Sequence, residues 1–338
     1  MTGYYGRQSG FGPLGAMLAR EEGAQVLQRL ARQSGVRVRP YLPRQPLAFE
    51  GMSDMFERSA RATGDALFGL RVGAQMRPED FGPFVNFSTN ASTFGGCVAR
   101  VSIFSRLQSN VLKVRVTPVD EDHVSWAIEY APGVGRMHQH ALHVVPSLAA
   151  TLRRLAGEEY GQARLEMGST ARADLNGAEA MLGIPALSVE GRYGIRFPRA
   201  WLDRPMPMLP LAQVVTMGDL RRHYGAPLPR SVEGAVRITV RGLIGEGRVD
   251  LETVAALLGY GRRKLQSTLN SEGATFRELL VRERMRRAMA LMRAGDHPLV
   301  EIALAVGYSD QAHFNRAFVS LTGLTPGQWR AMARQRMN

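Results

Sequence analysis

Val254-Ala-Ala-Leu-Leu-Gly-Tyr260 and Ile302-Ala-Leu-Ala-Val-Gly-Tyr308 are the same phrase written twice. The echo continues downstream: Leu265 and Leu269 answer Phe314 and Phe318, and Gly273 and Thr275 answer Gly323 and Thr325, the offset drifting from 48 to 50 residues. Apolar residues at helical spacing on both sides of a glycine that permits a sharp turn predict helix, turn, helix in each copy. Between the copies, Phe276, Leu280, Ala288 and Leu291 recur at helical spacing. Two units in register on one linking helix are therefore expected.

The punctuation around the repeat agrees with that reading. Asp250 stands where a cap for 251–258 belongs, and a helix over 262–272 follows Gly259-Tyr-Gly261. Thr275-Phe-Arg-Glu278 is a capping box that opens a long helix ending before Gly295 and Pro298. Further helices are predicted over 299–306, from a Ser309 cap to Gly323, and from Thr325-Pro326-Gly-Gln328 onward, where Pro occupies the first helical position. With 232–245 these make seven. Upstream, Pro205-Met-Pro-Met-Leu-Pro210 and Gly225-Ala-Pro-Leu-Pro229 cannot continue a helix. A linker is expected over 204–230, between a domain over 15–203 and an all-α domain over 231–338.

At 338 residues the chain is long enough for two cored domains, and 45% hydrophobic with 22% charged residues excludes disorder and collagen. The single cysteine, Cys97, excludes an intrachain disulfide and a cysteine-ligated metal site. Residues 1–22 lack a long apolar run and 141–152 is too short and interrupted to cross a bilayer, so a cytoplasmic protein without a membrane partner is expected. Net charge is +13, with Arg supplying 41 of 43 basic residues. Residues 231–338 hold 16 basic and 10 acidic side chains, a positive density about twice that of 1–230. Such an excess points to a polyanionic partner such as nucleic acid.

Residues 231–334 resemble the DNA-binding domain of AraC/XylS-type transcriptional regulators. The resemblance is carried by Ile302-Ala303, Gly307-Tyr308-Ser309, Phe314, Arg316-Ala-Phe318, Gly323, Thr325-Pro326 and Trp329-Arg330, with Leu265-Gln266, Arg284 and Ala288 matching the first half and the linking helix. One position departs from the pattern: Ser267 stands where the family usually has Arg. The family implies double-stranded DNA as partner, activation through RNA polymerase, and two recognition helices.

Helical spacing makes Leu265, Leu269, Phe314, Phe318 and Trp329 core residues. The DNA-contact candidates lie opposite: Arg262, Arg263, Gln266, Ser267 and Asn270 in the first copy, and Gln311, Ala312, His313, Asn315 and Arg316 in the second. Arg can clamp guanine and Gln or Asn adenine. Each can equally bind phosphate, so base reading and backbone positioning both stay open.

The N-terminal region reads as α+β. Helical patterns run over 16–34, 52–63, 93–108 and 138–157, while 110–118 and 124–130 alternate around Val119-Asp-Glu-Asp122 as a hairpin would. Gly183 to Arg204, including Phe197-Pro-Arg-Ala-Trp-Leu-Asp-Arg204, resembles the arabinose-binding-like effector domain of one AraC branch that includes ornithine-utilisation regulators. That resemblance spans 15–205 and implies a small-molecule effector and a homodimer.

Catalytic and metal readings of this region fail on spacing. In His138-Gln-His140-Ala-Leu-His143 only the 140/143 pair shares a helix face and no carboxylate follows, so a polar helix start is expected and no metal. Cys97 has no His or acid partner motif and reads as core. Asn90-Ala-Ser92-Thr-Phe-Gly95 lacks the paired arginines of a cyclic-dinucleotide site, and Ser92 is expected to cap the next helix. No Walker A, dinucleotide fingerprint or triad motif occurs, so no enzyme activity and no cofactor are expected. The expected function is a sequence-specific transcriptional regulator, an activator responding to a metabolite. An enzyme domain fused to a DNA-binding module and a ligand-independent DNA-binding protein remain the alternatives.

Overall fold

The computed structural model describes residues 3–36, 45–76, 78–135, 137–168, 171–210, 213–225, 227–244 and 249–335. Gly245, read above as the end of a helix, residues 336–338, and positions 211, 212 and 226 of the expected linker lie outside the described residues. The chain divides into two compact units at Pro229/Arg230.

In the unit over residues 4–229, a short antiparallel pair β1 (Tyr5–Arg7) and β2 (Pro46–Ala48) brackets helices α1 (Leu14–Glu22) and α2 (Ala24–Gln33). Helices α3 (Phe49–Thr63), α4 (Phe68–Ala74), α5 (Pro83–Thr89) and α6 (Phe94–Phe104) follow, then strands β3 (Leu112–Pro118) and β4 (His123–Tyr130) and the long α7 (His138–Ala156). Strand β5 (Arg164–Met167), helix α8 (Arg172–Leu182), strands β6 (Ala186–Ser188) and β7 (Gly194–Pro198), and helix α9 (Met217–Tyr224) complete it. The sheet order is β3-β4-β7-β5-β6, antiparallel except for β5 with β6, which α8 connects. An α+β unit results.

Alternation decides which sheet face is covered. Val114, Val124, Trp126, Ile128, Leu165, Ile195 and Phe197 point into one buried cluster with Cys97 and Val101 of α6 and Leu142, Val145, Leu148 and Leu152 of α7. On β5, Glu166 is fully buried and accepts hydrogen bonds from Ser125 of β4 and Arg196 of β7, which ties three strands together. Helix α4 crosses α7 at glycines: a Cβ on Gly69 or Gly73 would lie 2.0 Å from the Gln139 carbonyl oxygen or 2.1 Å from that of His143.

Three local expectations change. The helix expected over 16–34 is two, divided at Gly23, whose φ of +92° ends the first helical path. The cap of α6 is Thr93, which accepts from the Gly96 N–H, and not Ser92; in extended conformation only the residue next to the helix reaches that donor. The stretch expected as a linker contains α9, opened by a Thr216/Asp219 capping box, with Leu220 and Tyr224 buried against Phe81 and Phe84.

The unit from Arg230 onward takes in Gly3, whose N–H donates to the Arg230 carbonyl at 2.9 Å. Its described residues form α10 (Val232–Leu243), α11 (Leu251–Leu258), α12 (Arg262–Ser271), α13 (Phe276–Ala294), α14 (Leu299–Ala305), α15 (Gln311–Thr322) and α16 (Pro326–Gln335). Helix α13 packs against α10, α14, α15 and α16. Among the described residues no helix is long and apolar enough to cross a membrane.

Candidate nucleic-acid interface and effector pocket

Each half of the C-terminal unit is a brace, a glycine in left-handed conformation and a presented helix. Asp250 accepts from the Thr253 N–H at 2.8 Å to start α11, Gly259 turns at φ +77°, and α12 begins at Arg262. Gly307 makes the matching turn between α14 and α15 at φ +86°. Ahead of α15 the cap is Asp310 and not Ser309: Asp310 accepts from the His313 N–H at 2.7 Å, and the Ser309 hydroxyl donates to the same carboxylate at 3.0 Å. The aspartate is one residue nearer the helix. Its carboxyl is held below the ordinary range first by the His313 N–H and then by Ser309.

Leu265, Leu269, Phe314 and Phe318 are buried, which fixes the opposite faces toward solvent. Arg262, Arg263, Gln266, Ser267 and Asn270 are all exposed on α12, as are Ala312, His313 and Arg316 on α15. Gln311 is half-buried, and so is Asn315, whose Oδ1 is shielded from solvent and unpartnered. The two helices open differently. Gly261 provides no side-chain cap, so Arg262, Arg263 and Lys264 crowd a bare helix N-terminus whose partial charge they share. That concentration of positive charge suits phosphate. Lys264, absent from the sequence-based candidates, lies 5.9 Å from the Tyr260 ring centroid.

The two halves are held by the linking helix. Thr275 and Glu278 form a reciprocal capping box at the start of α13. Glu283, 2% exposed, accepts from Arg237 at 3.1 Å, from Arg241 at 3.1 and 3.3 Å and from Arg286 at 2.8 Å. Burial alone would raise its pKa, yet the three guanidinium partners hold it below the usual carboxylate range. At the next residue, the Arg284 guanidinium lies 5.2 Å from the Tyr308 ring centroid, and a Cβ at Gly307 would come within 2.9 Å of Arg284 Nη2. The turn glycine is needed for conformation and for clearance.

The N-terminal unit holds a pocket of about 740 Å³, solvent at its mouth included. Phe81, Phe84, Val101, Leu112, Val114 and Leu148 supply much of its wall, with Trp126, His140 and His143 among the polar-bearing side chains. The histidines expected at a polar helix start are instead buried: His140 and His143 face the core from α7, and the Tyr130 hydroxyl lies 2.7 Å from His140 Nδ1. Burial pushes His140 down to about 3 and His143 well below its ordinary value, so both are neutral. Among the described residues no group of three metal-ligating side chains is assembled. Cys97 is buried and its thiol is pushed up to about 12 by burial. Trp126 carried a usable signal in the sequence, since it alternates inward with Val124 and Ile128.

The family described as the arabinose-binding domain of AraC transcription regulators matches residues 26–206, more than half of the chain, and a helix-turn-helix domain family matches 254–332. The chain is similar to the HTH-type transcriptional regulator VirS of Mycobacterium tuberculosis, 28% identical over 332 residues covering 93% of both proteins. It is also similar to the ornithine utilization regulator of Pseudomonas aeruginosa, 24% identical over 316 residues, 90% of this chain and 91% of that one. A duplicated helix-turn-helix on one linking helix, preceded by an α+β unit with a pocket, fits those matches along their whole length, and the chain belongs to the AraC family as a DNA-binding transcriptional regulator with an N-terminal effector-binding domain.

Proposed function

We propose that this regulator is a cytoplasmic homodimeric activator whose N-terminal domain senses a small molecule and whose C-terminal domain, from about residue 230, presents α12 and α15 to successive major-groove segments. The observation that carries the proposal is the exposure of polar side chains on both presented helices, while α13 packs on α15 and on α10, which in turn packs on α12. Groove segments on one DNA face recur about every 34 Å, so one protomer covers roughly two turns and bends the DNA to engage both. In this reading Arg262, Arg263, Gln266, Ser267 and Asn270 meet one segment and Gln311, Ala312, His313, Asn315 and Arg316 the other. Effector binding biases dimer geometry or domain freedom with a coupling of about 1–3 kcal/mol, and the DNA-bound dimer recruits RNA polymerase.

A regulator and not an enzyme is proposed. The one cysteine is buried and protonated, which removes the nucleophile that the sequence offered. Footprinting of full-length protein on the DNA flanking its own gene, with run-off transcription on the same template, tests the reading. Protection of two major-groove segments per protomer and more transcript are expected. Protection of a single segment, transcript unchanged, or a monomer in sedimentation at micromolar concentration would each remove a part of it.

A further inference from the structure

Most of the polar groups around the N-terminal pocket are already engaged. Gln108 Nε2 donates to the Ser9 hydroxyl at 2.6 Å, the Ser147 hydroxyl to the Val144 carbonyl at 2.7 Å, and the Thr151 hydroxyl to the Ser147 carbonyl at 3.0 Å. Arg7 Nε donates to the Leu107 carbonyl at 2.6 Å, and His140 is taken by Tyr130. Among the described residues two lining atoms are shielded from solvent and still without a partner. The indole Nε1 of Trp126 and Nδ1 of His143 belong to pocket-lining side chains that are each 1% exposed, and neither meets a hydrogen-bonding group of the protein.

Their chemistry is complementary. An indole N–H only donates. His143 Nε2 lies 2.8 Å from the Met76 thioether, which only accepts, so the proton is assigned to Nε2 and Nδ1 offers a bare lone pair. Buried donors and acceptors are costly to leave unmade, so a donor and an acceptor on the lining of one pocket are groups that a guest can complete. Charge restricts the guest further. Among the described residues no carboxylate lines the pocket, and both histidines are neutral, so a ligand ammonium would find no counter-ion.

We propose that the effector bound here is a largely apolar molecule without a cationic group, bearing a carbonyl that accepts from Trp126 Nε1–H and a hydroxyl that donates to His143 Nδ1. The proposal rests on the effector-sensing reading and narrows it, setting amino acids, sugars and dicarboxylates aside for this pocket.

Calorimetric titration of the full-length chain with 4-hydroxyacetophenone and 4-hydroxyoctanophenone, against L-lysine, L-arabinose and succinate, tests it. Both ketones should bind, the longer one tighter. Trp126→Phe and His143→Phe should each weaken them about tenfold or more, while thermal unfolding of the unliganded variants shows which of the two carries the comparison. Binding confined to the amino acid, the sugar or the diacid overturns the proposal, and so does ketone affinity unchanged in a folded variant or no binding by any of the five. Specific DNA binding by the same preparation is scored separately. If it persists while the ketones fail, the ligand assignment falls and the regulator reading stands.

Discussion

Ser267 and Arg316 occupy comparable exposed positions on the two presented helices, and their reach differs by several bonds. A serine hydroxyl sees little beyond the first base edge, while a guanidinium can clamp guanine in a bidentate way. Ser267→Ala should therefore cost less affinity for the cognate site than Arg316→Ala, measured by competitive gel shift; the reverse order would assign specificity to the first half. Arg263 distinguishes two roles. If it reads a base, Arg263→Ala costs about 1–3 kcal/mol and relaxes preference at one or two base pairs. If it holds phosphate, as the uncapped, triply basic start of α12 favours, all sequences weaken alike and the salt slope drops by about one. Asn315 joined the candidates through helical spacing alone. Its shielded Oδ1 was not legible there, because shielding depends on neighbours brought in by the fold.

Among elements, the contrast between the two units explains what a sequence exposes. In the C-terminal unit α11, α13 and α15 open on a side-chain cap or capping box, and α11 and α15 end at a left-handed glycine, so the chain itself announces them. Even so, the choice between Ser309 and Asp310 turned on a single residue of reach. In the N-terminal unit the edges are long-range. Strands β5, β6 and β7 are three to five residues long and acquire their identity only by pairing with one another and with β4. Helix α9 hid among prolines although its capping box was readable. The pocket was beyond local reading altogether, since α5, α6, α7, β3 and β4 each contribute part of its wall. Glu283 shows how one element is secured to another, as its two carboxylate oxygens hold arginines from α10 as well as α13. Glu283→Gln should lower the stability of the C-terminal unit by about 1–3 kcal/mol, less than a fully buried pair because the arginines reach solvent. Urea unfolding checks this; an unchanged midpoint would mean the cluster is a solvated ornament.

At the scale of the molecule, each unit buries its own set of apolar side chains. A fragment from Arg230 should fold by circular dichroism and bind DNA. Between 50 and 200 mM salt its affinity should fall roughly a hundredfold if about four phosphates are neutralised. An unfolded fragment, or affinity indifferent to salt, would contradict the independence of the unit or its charge. The N-terminal unit should be acid-sensitive for a different reason. His140 stays unprotonated in the folded chain down to about 3, and burial also pushes His143 well below its ordinary value, whereas the unfolded chain takes up a proton on each near pH 6.5. The unfolded state thus binds more protons below that pH. Stability should be level above about pH 7 and fall from pH 6.5 to 5 by about 1.4 kcal/mol per pH unit per histidine. The carboxylates with depressed values, Glu21 and Asp120 among them, enter only at lower pH. Urea midpoints at pH 5, 6 and 7 for wild type and H140Q/H143Q measure the difference, and parallel profiles would refute it.

Helix α13 also acts as a gauge. Its 19 residues make an unbroken rod of about 28 Å at 1.5 Å per residue. Helix α15 packs on that rod directly, and α12 joins it through a four-residue turn and through α10, which packs on both. A base pair inserted between the two contacted segments shifts one by about 3.4 Å and swings it through about 36° around the DNA axis. The rod cannot follow either movement, so the second head should lose the groove and the site should revert to single-head affinity. Helix α13 belongs to one chain and would set no spacing between the two protomers of the proposed dimer. Operators are accordingly expected to be exact in phase inside each half and permissive in the gap that separates them.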